Sequence, residues 1–147
     1  MLGATPAACS PNQSMSTAPL ERSPAGLEQV PLTIRSGPRT HRFIVEVARS
    51  PQEQATGLMN RESLAPDRGM IFPYDPPEMA AFWMKNTLIP LDMIFVRKDG
   101  TIARIEANTI PLSLESVPAG EPVAAVLELA GGRSAELGIG PGDKVDW

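Results

Sequence analysis

Apolar and polar residues begin to alternate near Glu28, and this pattern predicts short β-strands through most of the remaining chain. VPLTI places its apolar residues on one face of a strand, and RFIVEV repeats the pattern after the turn signal SGP, so these two runs predict a β-hairpin. A second hairpin is predicted at Asp99 and Gly100, between LDMIFV and TIARIEA, because Asp-Gly favours a tight two-residue turn.

The stretch SPQEQATG carries the signals of a short helix. Ser50 is a good N-cap, Pro51 suits the first helical position, and Glu53 completes a capping box with the serine. Gly57 is expected to end this helix after about two turns. Downstream, PVAAVLEL predicts a strand, GGRSAELG a second short helical turn, and GPGDKVDW a turn into a last strand. The whole pattern predicts a mainly β fold: a small, compact, barrel-like β domain with one or two short helices.

The first 27 residues differ in composition from the rest of the chain. They are rich in Pro, Ala, Ser and Thr and show no hydrophobic period, so they cannot bury enough apolar surface to offset the entropy of ordering. We expect residues 1–27 to form a flexible tether and residues 28–147 to form a single β-rich domain.

Cys9 lies in a stretch, ATPAACS, that resembles the end of a bacterial lipoprotein signal, where a cysteine after small residues becomes lipidated. Pro6 departs from that pattern, and the basic and apolar regions of a signal peptide are missing. The expectation is an exported protein, periplasmic or tethered to the envelope membrane through a lipid at Cys9. The alternative is a cytoplasmic protein with an inert cysteine.

Composition limits the partners and cofactors to be expected. Thirteen basic and seventeen acidic residues leave a formal net charge of −4, and they are intermixed, so no basic stripe suggests a nucleic-acid partner. No apolar run approaches the roughly 20 residues of a transmembrane helix. The single cysteine and the single histidine, His41, exclude a cysteine-based zinc site and a His-rich cluster, while the methionines are typical core residues. We therefore expect no metal and no cofactor.

The motifs GLMNRESL, GMIF, FWMKNTLIPLDMIFV, VLEL and GPGDKV occur in that order and at characteristic spacings. In this respect residues 30–147 resemble the bacterial and archaeal family known as domain of unknown function 192. The resemblance implies a small compact domain, often with an export signal, and it implies no established activity.

The segment FWMKNTLIPLDMIFV places polar residues inside an apolar stretch and is the best candidate for a site. If AAFWMKNT is extended, alternation places Trp83 and Lys85 on one face and turns Met84 into the core. In a binding site, Trp83 would offer an apolar platform, Lys85 and Arg61 positive charge, and Asn86 orienting hydrogen bonds. The expected ligand is a small polar molecule or a partner protein, such as an envelope protein.

Two alternatives to a binding site remain open. In a structural module, Lys85 pairs with Asp92 or Glu128 and the motif pins a corner of the fold. In an acid–base enzyme, Lys85 works with Asp92 or Glu128 as a proton-transfer pair, although none of the common catalytic motifs occurs in the sequence. The candidate ligand-binding residues are Arg61, Trp83, Lys85, Asn86, Asp92 and Glu128.

Overall fold

The computed structural model of the protein describes residues 20–147, so Cys9 and the lipoprotein-like signal lie outside the described residues. Nine strands and two short helices occur within this range. In chain order they are β1 (Gln29–Ser36), β2 (Arg39–Val47), α1 (Pro51–Thr56), β3 (Arg68–Glu78), β4 (Ala81–Phe82), β5 (Leu91–Val96), β6 (Ile102–Glu106), β7 (Val117–Pro118), β8 (Val123–Ala130), α2 (Arg133–Leu137) and β9 (Lys144–Asp146).

Seven of the strands form one curled sheet, in the order β6-β5-β8-β3-β2-β1-β9. All its neighbours are antiparallel except β2 and β3, which are parallel. The two edges meet at one end, because the Val145 amide donates to the Gly100 carbonyl and the Ile102 amide donates to the Asp143 carbonyl. This contact satisfies backbone groups that an open sheet would leave unpaired at its edges. The expected mainly β, barrel-like fold with two short helices is confirmed.

The curled sheet is buried on both faces at its centre. The face inside the curl carries apolar side chains from all seven strands, which form the first core cluster. The outer face of β3, β5 and β8 carries the second cluster, which also includes Leu58, Ala80, Met84 and Ala119 from the connecting segments. All six residues of β5 are buried, which explains why LDMIFV is apolar almost throughout rather than alternating.

The predicted hairpins and the first helix are confirmed. β1 pairs with β2 and β5 with β6, as the turn signals indicated. At α1, the Ser50 hydroxyl accepts from the Glu53 amide, and the Glu53 carboxylate accepts from the Ser50 amide. Gly57, with φ of 47°, follows the helix in a conformation that residues with a side chain rarely adopt.

The prediction of an extended AAFWMKNT is wrong beyond its first residues. Only Ala81 and Phe82 pair, with the two-residue strand β7. The chain then turns, because the Thr87 amide donates to the Met84 carbonyl and Asn86 adopts a left-handed conformation, with φ of 55°. Met84 is nevertheless buried, as the alternation predicted.

The folded part begins earlier than the expected boundary at residue 28. The Ser23 amide donates to the Leu27 carbonyl, Ser23 is buried, and Leu27 packs against the second core cluster. This turn packs on the domain because it supplies an apolar side chain and satisfies its own backbone groups, which composition alone did not indicate. No helix in the described part of the chain has the length and hydropathy to cross a membrane.

Candidate functional site

A cavity of about 300 Å³ lies over the outer face of the sheet, beside α1 and its C-terminal turn. Its wall contains the chain's one tyrosine, one of its two tryptophans and two of its four phenylalanines: Tyr74, Trp83, Phe72 and Phe82. Glu128, from the central strand β8, completes the wall. The chain therefore gathers most of its aromatic side chains around a single carboxyl group.

The helix α1 is held in place as one side of this cavity. The Gln54 side-chain amide donates to the Ala48 carbonyl at 3.0 Å and to the Pro73 carbonyl at 3.2 Å. These bonds join the helix to the segment before it and to β3. Gly57 ends the helix against Phe72, since a Cβ atom at this glycine would lie 3.3 Å from Cζ of that ring. A capped helix and a glycine stop, both readable in the sequence, thus set the position of the cavity wall.

The aromatic side chains differ in depth. Phe72 is fully buried, and it meets Phe82 edge to face with 4.8 Å between the ring centroids. Trp83 is 48% exposed, and the Lys85 ammonium lies 5.2 Å from the centroid of its ring. The cavity thus has a buried aromatic interior and a tryptophan at its solvent side.

Glu128 is buried without a compensating charge. Its cross-strand partners are Met70 on β3 and Met93 on β5, which are both completely buried, and Glu128 itself is only 4% exposed. Within residues 20–147 its carboxyl group forms no ion pair or hydrogen bond. Burial raises the pKa of Glu128 from an ordinary 4.5 to about 8, because a carboxylate is poorly solvated there. At pH 7 the group is therefore mainly a neutral acid.

Tyr74 is the second polar group in the cavity wall. Burial, aided by the charges of Glu78 and Glu128, raises the pKa of the Tyr74 hydroxyl well above its ordinary value, so this group stays protonated. Among the other polar side chains of the wall, the Gln54 amide group and the Thr87 hydroxyl are already engaged, the hydroxyl donating to the Lys85 carbonyl at 3.1 Å. The Glu128 carboxyl and the Tyr74 hydroxyl are thus the two polar groups of the described wall whose pKa values burial raises.

The second predicted carboxylate, Asp92, has a structural role. It is completely buried on the inner face of the sheet, and its Oδ1 atom accepts from the amides of Asn108 and Gly132 at 3.0 and 2.9 Å. Its Oδ2 atom accepts from the Ser134 amide at 2.8 Å, just inside α2. Three charge-assisted hydrogen bonds hold two loops onto β5. The expected pairing of Asp92 with Lys85 is wrong, because the carboxylate is enclosed by backbone amides.

The remaining predicted residues do not form one site. Lys85 is exposed and makes no ion pair within the described residues. The Asn86 carbonyl accepts from the Asn60 amide at 2.8 Å, which ties two loops together. Arg61 forms an ion pair with Glu46 at 2.9 Å and lines a separate cleft of about 610 Å³. Of the six candidates, the cavity brings together only Trp83 and Glu128.

Sequence reasoning missed Tyr74 and Phe72 as members of the site. The available signal was the glutamate in VAAVLELA, a single charged residue in an otherwise apolar strand. Such a residue lies either at an exposed strand edge or in a buried site, and the sequence did not show that β8 is central. No group of three or more metal-ligating His, Cys, Asp or Glu side chains occurs within residues 20–147.

Solved structures share this fold, including the following two. A protein of unknown function from Novosphingobium aromaticivorans DSM 12444 is 46% identical, with a TM-score of 0.86 over 95% of this chain and 100% of that one. A protein from Sinorhizobium meliloti 1021, described as a "putative transcription regulator", is 40% identical, with a TM-score of 0.80 over 82% of this chain and 94% of that one. No curated protein matches the sequence. The model of the family described as "Uncharacterized ACR", domain of unknown function 192, matches residues 32–147, and the chain belongs to this family.

Proposed function

We propose that this domain binds a small molecule in the aromatic cavity over Glu128. The observation that carries the proposal is the buried carboxyl group of Glu128, which lies in the wall of an open cavity and has no partner within the described residues. The ligand would combine an apolar body, which packs against Phe72, Phe82 and Trp83, with one polar group that meets Glu128.

The energetics of Glu128 support binding over a purely structural role. A buried carboxyl group without a partner lowers the stability of the fold, because it loses hydration and gains no hydrogen bond. A methionine, the residue type opposite it on both neighbouring strands, would fill the same position without that loss. Polar groups that persist at the expense of stability are typical of functional sites.

The acid–base enzyme is less well supported. Its proposed partner Lys85 is absent from the cavity wall, and Asp92 is engaged by three amides on the opposite face of the sheet. Glu128, with a pKa near 8, could exchange a proton with a bound molecule, but the other titratable group of the described wall, the Tyr74 hydroxyl, stays protonated.

The similarity to the Sinorhizobium protein does not change this proposal. A regulator that contacted DNA directly would be expected to carry a basic surface, whereas this chain has a net charge of −4. A ligand-binding role for the cavity requires no contact with nucleic acid.

The test is a fragment screen followed by ¹H–¹⁵N NMR on the folded protein. Ligands of the cavity should shift the amide signals of Gly57 and Met59 and the indole signal of Trp83, and should leave signals of the distant β1–β2 hairpin unchanged. Fragments that shift only signals outside the cavity would contradict the proposal.

A cavity-filling variant supplies the matched control. Ala55 is exposed on α1 and lines the cavity, whereas Gln52, also exposed on α1, does not line it. Ala55→Trp should abolish binding and Gln52→Trp should preserve it, with both variants folded. Equal binding by the two variants would place the ligand elsewhere.

Export and lipidation at Cys9 belong to the same proposal, because a tether would hold the ligand-binding domain beside a membrane. The lipoprotein-like stretch around Cys9 supports it. When the gene is expressed from its own start in a bacterium, the parent protein should fractionate with membranes and incorporate labelled fatty acid, and Cys9→Ser should do neither. Identical soluble behaviour of the two proteins would exclude the anchor.

A further inference from the structure

We propose that the cavity selects an organic cation, an alkylammonium group on a small apolar body, with Glu128 as its counter-charge. This proposal rests on the ligand-binding function and adds the chemical class of the ligand. It concerns a site formed by the aromatic wall and the one acidic side chain within it.

The charge of the cavity wall favours a cation. Among the thirteen described residues that line the cavity, Glu128 is the one acidic side chain, and none is a lysine or an arginine. Arg61, the nearest arginine along the chain, is directed to Glu46 in a different cleft. An anionic ligand would therefore meet no positive side chain in this wall and would be repelled by an ionised Glu128.

The aromatic wall favours an ammonium group over a metal ion. The faces of Trp, Tyr and Phe rings attract cations, and aromatic cages are a common means of binding alkylated ammonium groups. One ring of this wall already attracts a cation, because the Lys85 ammonium lies 5.2 Å from the centroid of Trp83. A metal ion would require several oxygen, nitrogen or sulfur ligands, whereas the wall offers one carboxyl group.

Binding of a cation should be linked to the protonation of Glu128. Tyr74 on β3 shares the cavity wall with Glu128, and Met70 and Met93 lie opposite Glu128 on its two neighbouring strands. The other charged groups nearby are Glu78, whose charge acts on Tyr74, and Lys85, which lies 5.2 Å from the Trp83 ring. A cation favours the ionised carboxylate, so its binding should release the proton from Glu128. The affinity should then rise with pH up to about 8 and level off above it.

The experiment compares choline with 3,3-dimethylbutan-1-ol, a neutral molecule of nearly the same shape. Choline carries a permanent charge, so a pH dependence of its binding reports on the protein. By NMR titration, choline should bind the parent at least about tenfold more tightly than the alcohol at pH 9. The choline affinity should rise roughly tenfold or more between pH 6 and pH 9. Glu128→Gln should remove both the preference and the pH dependence, and Trp83→Ala should weaken the binding of both molecules.

The controls separate this inference from the proposed function. If the alcohol binds the parent as tightly as choline and both are lost in Ala55→Trp, the cavity binds ligands but the inference of a cation is wrong. If choline binds Glu128→Gln as tightly as the parent, Glu128 is not its counter-charge and the inference is overturned. If neither molecule binds, the inference also fails, and the fragment screen decides separately whether the cavity binds any ligand.

Discussion

Asp92 and Glu128 are buried carboxyl groups on adjacent strands of one sheet, and they lie on opposite faces of it. Asp92 faces inward and accepts three backbone hydrogen bonds, whereas Glu128 faces outward between two methionines and has no partner within residues 20–147. The same functional group therefore has two opposite consequences for stability. Asp92 stabilises the fold, whereas Glu128 is the residue on which the proposed site depends.

Replacing Asp92 should destabilise the protein strongly. In Asp92→Asn, the remaining oxygen can still accept from the Asn108 and Gly132 amides, but the new NH2 group would face the Ser134 amide, so this buried donor would lose its acceptor and the other two bonds would lose the carboxylate charge. We expect a loss of about 3 kcal/mol in the free energy of unfolding, measured in urea at pH 7. An unchanged midpoint would show that these bonds contribute little to the fold.

Replacing Glu128 should increase the free energy of unfolding, and the increase should depend on pH. The pKa of this group is about 8 in the folded protein and near 4.5 when unfolded, so the folded state retains a proton that the unfolded state releases. The parent protein therefore has its full free energy of unfolding below pH 4.5. Between pH 4.5 and pH 8 it loses about 1.4 kcal/mol of this free energy per pH unit. Glu128→Gln cannot release this proton. Between pH 4 and pH 7, the difference in free energy of unfolding between this variant and the parent should therefore change by about 3 kcal/mol in favour of the variant.

The comparison of the two carboxyl-to-amide variants is internally controlled, because both change one oxygen to a nitrogen in the same sheet. A parallel pH dependence for Glu128→Gln and the parent would show that Glu128 is ionised at ordinary pH. Glu128→Met should be more stable than the parent at pH 7, because methionine matches the two apolar neighbours Met70 and Met93.

Lys85 should contribute little to folding. It is exposed, and its described contact is with the ring of Trp83. Lys85→Met should change the free energy of unfolding by less than about 1 kcal/mol in either direction, the range of an exposed cation–π contact. A loss comparable with that of Asp92→Asn would restore the view that Lys85 pins a corner of the fold.

The N-cap of α1 should affect both stability and the cavity. Ser50→Ala removes the hydroxyl that accepts from the Glu53 amide, and we expect a loss of about 1 kcal/mol. Because α1 forms one side of the cavity, amide hydrogen exchange should quicken in Pro51–Thr56 and ligand affinity should fall.

Ser63→Ala is the matched control for this variant. Ser63 is exposed and lies outside the cavity wall. The free energy of unfolding of Ser63→Ala should therefore lie within about 0.5 kcal/mol of that of the parent, and ligand affinity should be unchanged. Equal effects of the two serine variants would mean that the cap does not position the helix.

Local signals in the sequence determined most of the secondary structure. The two hairpins, the capped helix from Pro51, the stop at Gly57 and a strand in PVAAVLEL were all predicted, because each depends on residues within a few positions of one another. The extended conformation of AAFWMKNT was mispredicted, because a strand needs a partner and β7 supplies only two residues.

The site depended on contacts between residues far apart in sequence. Lys85 and Asp92 are seven positions apart and do not meet, whereas Trp83 and Glu128, 45 positions apart, line one cavity. Strand order decided this outcome. It placed β8 between β5 and β3 in the interior of the sheet, buried both of its faces, and turned Glu128 toward the aromatic wall. Local residue patterns set the conformations of the helices, turns and most strands, whereas the packing of the sheet decided that Asp92 is surrounded by backbone amides and that Glu128 has no partner within the described residues.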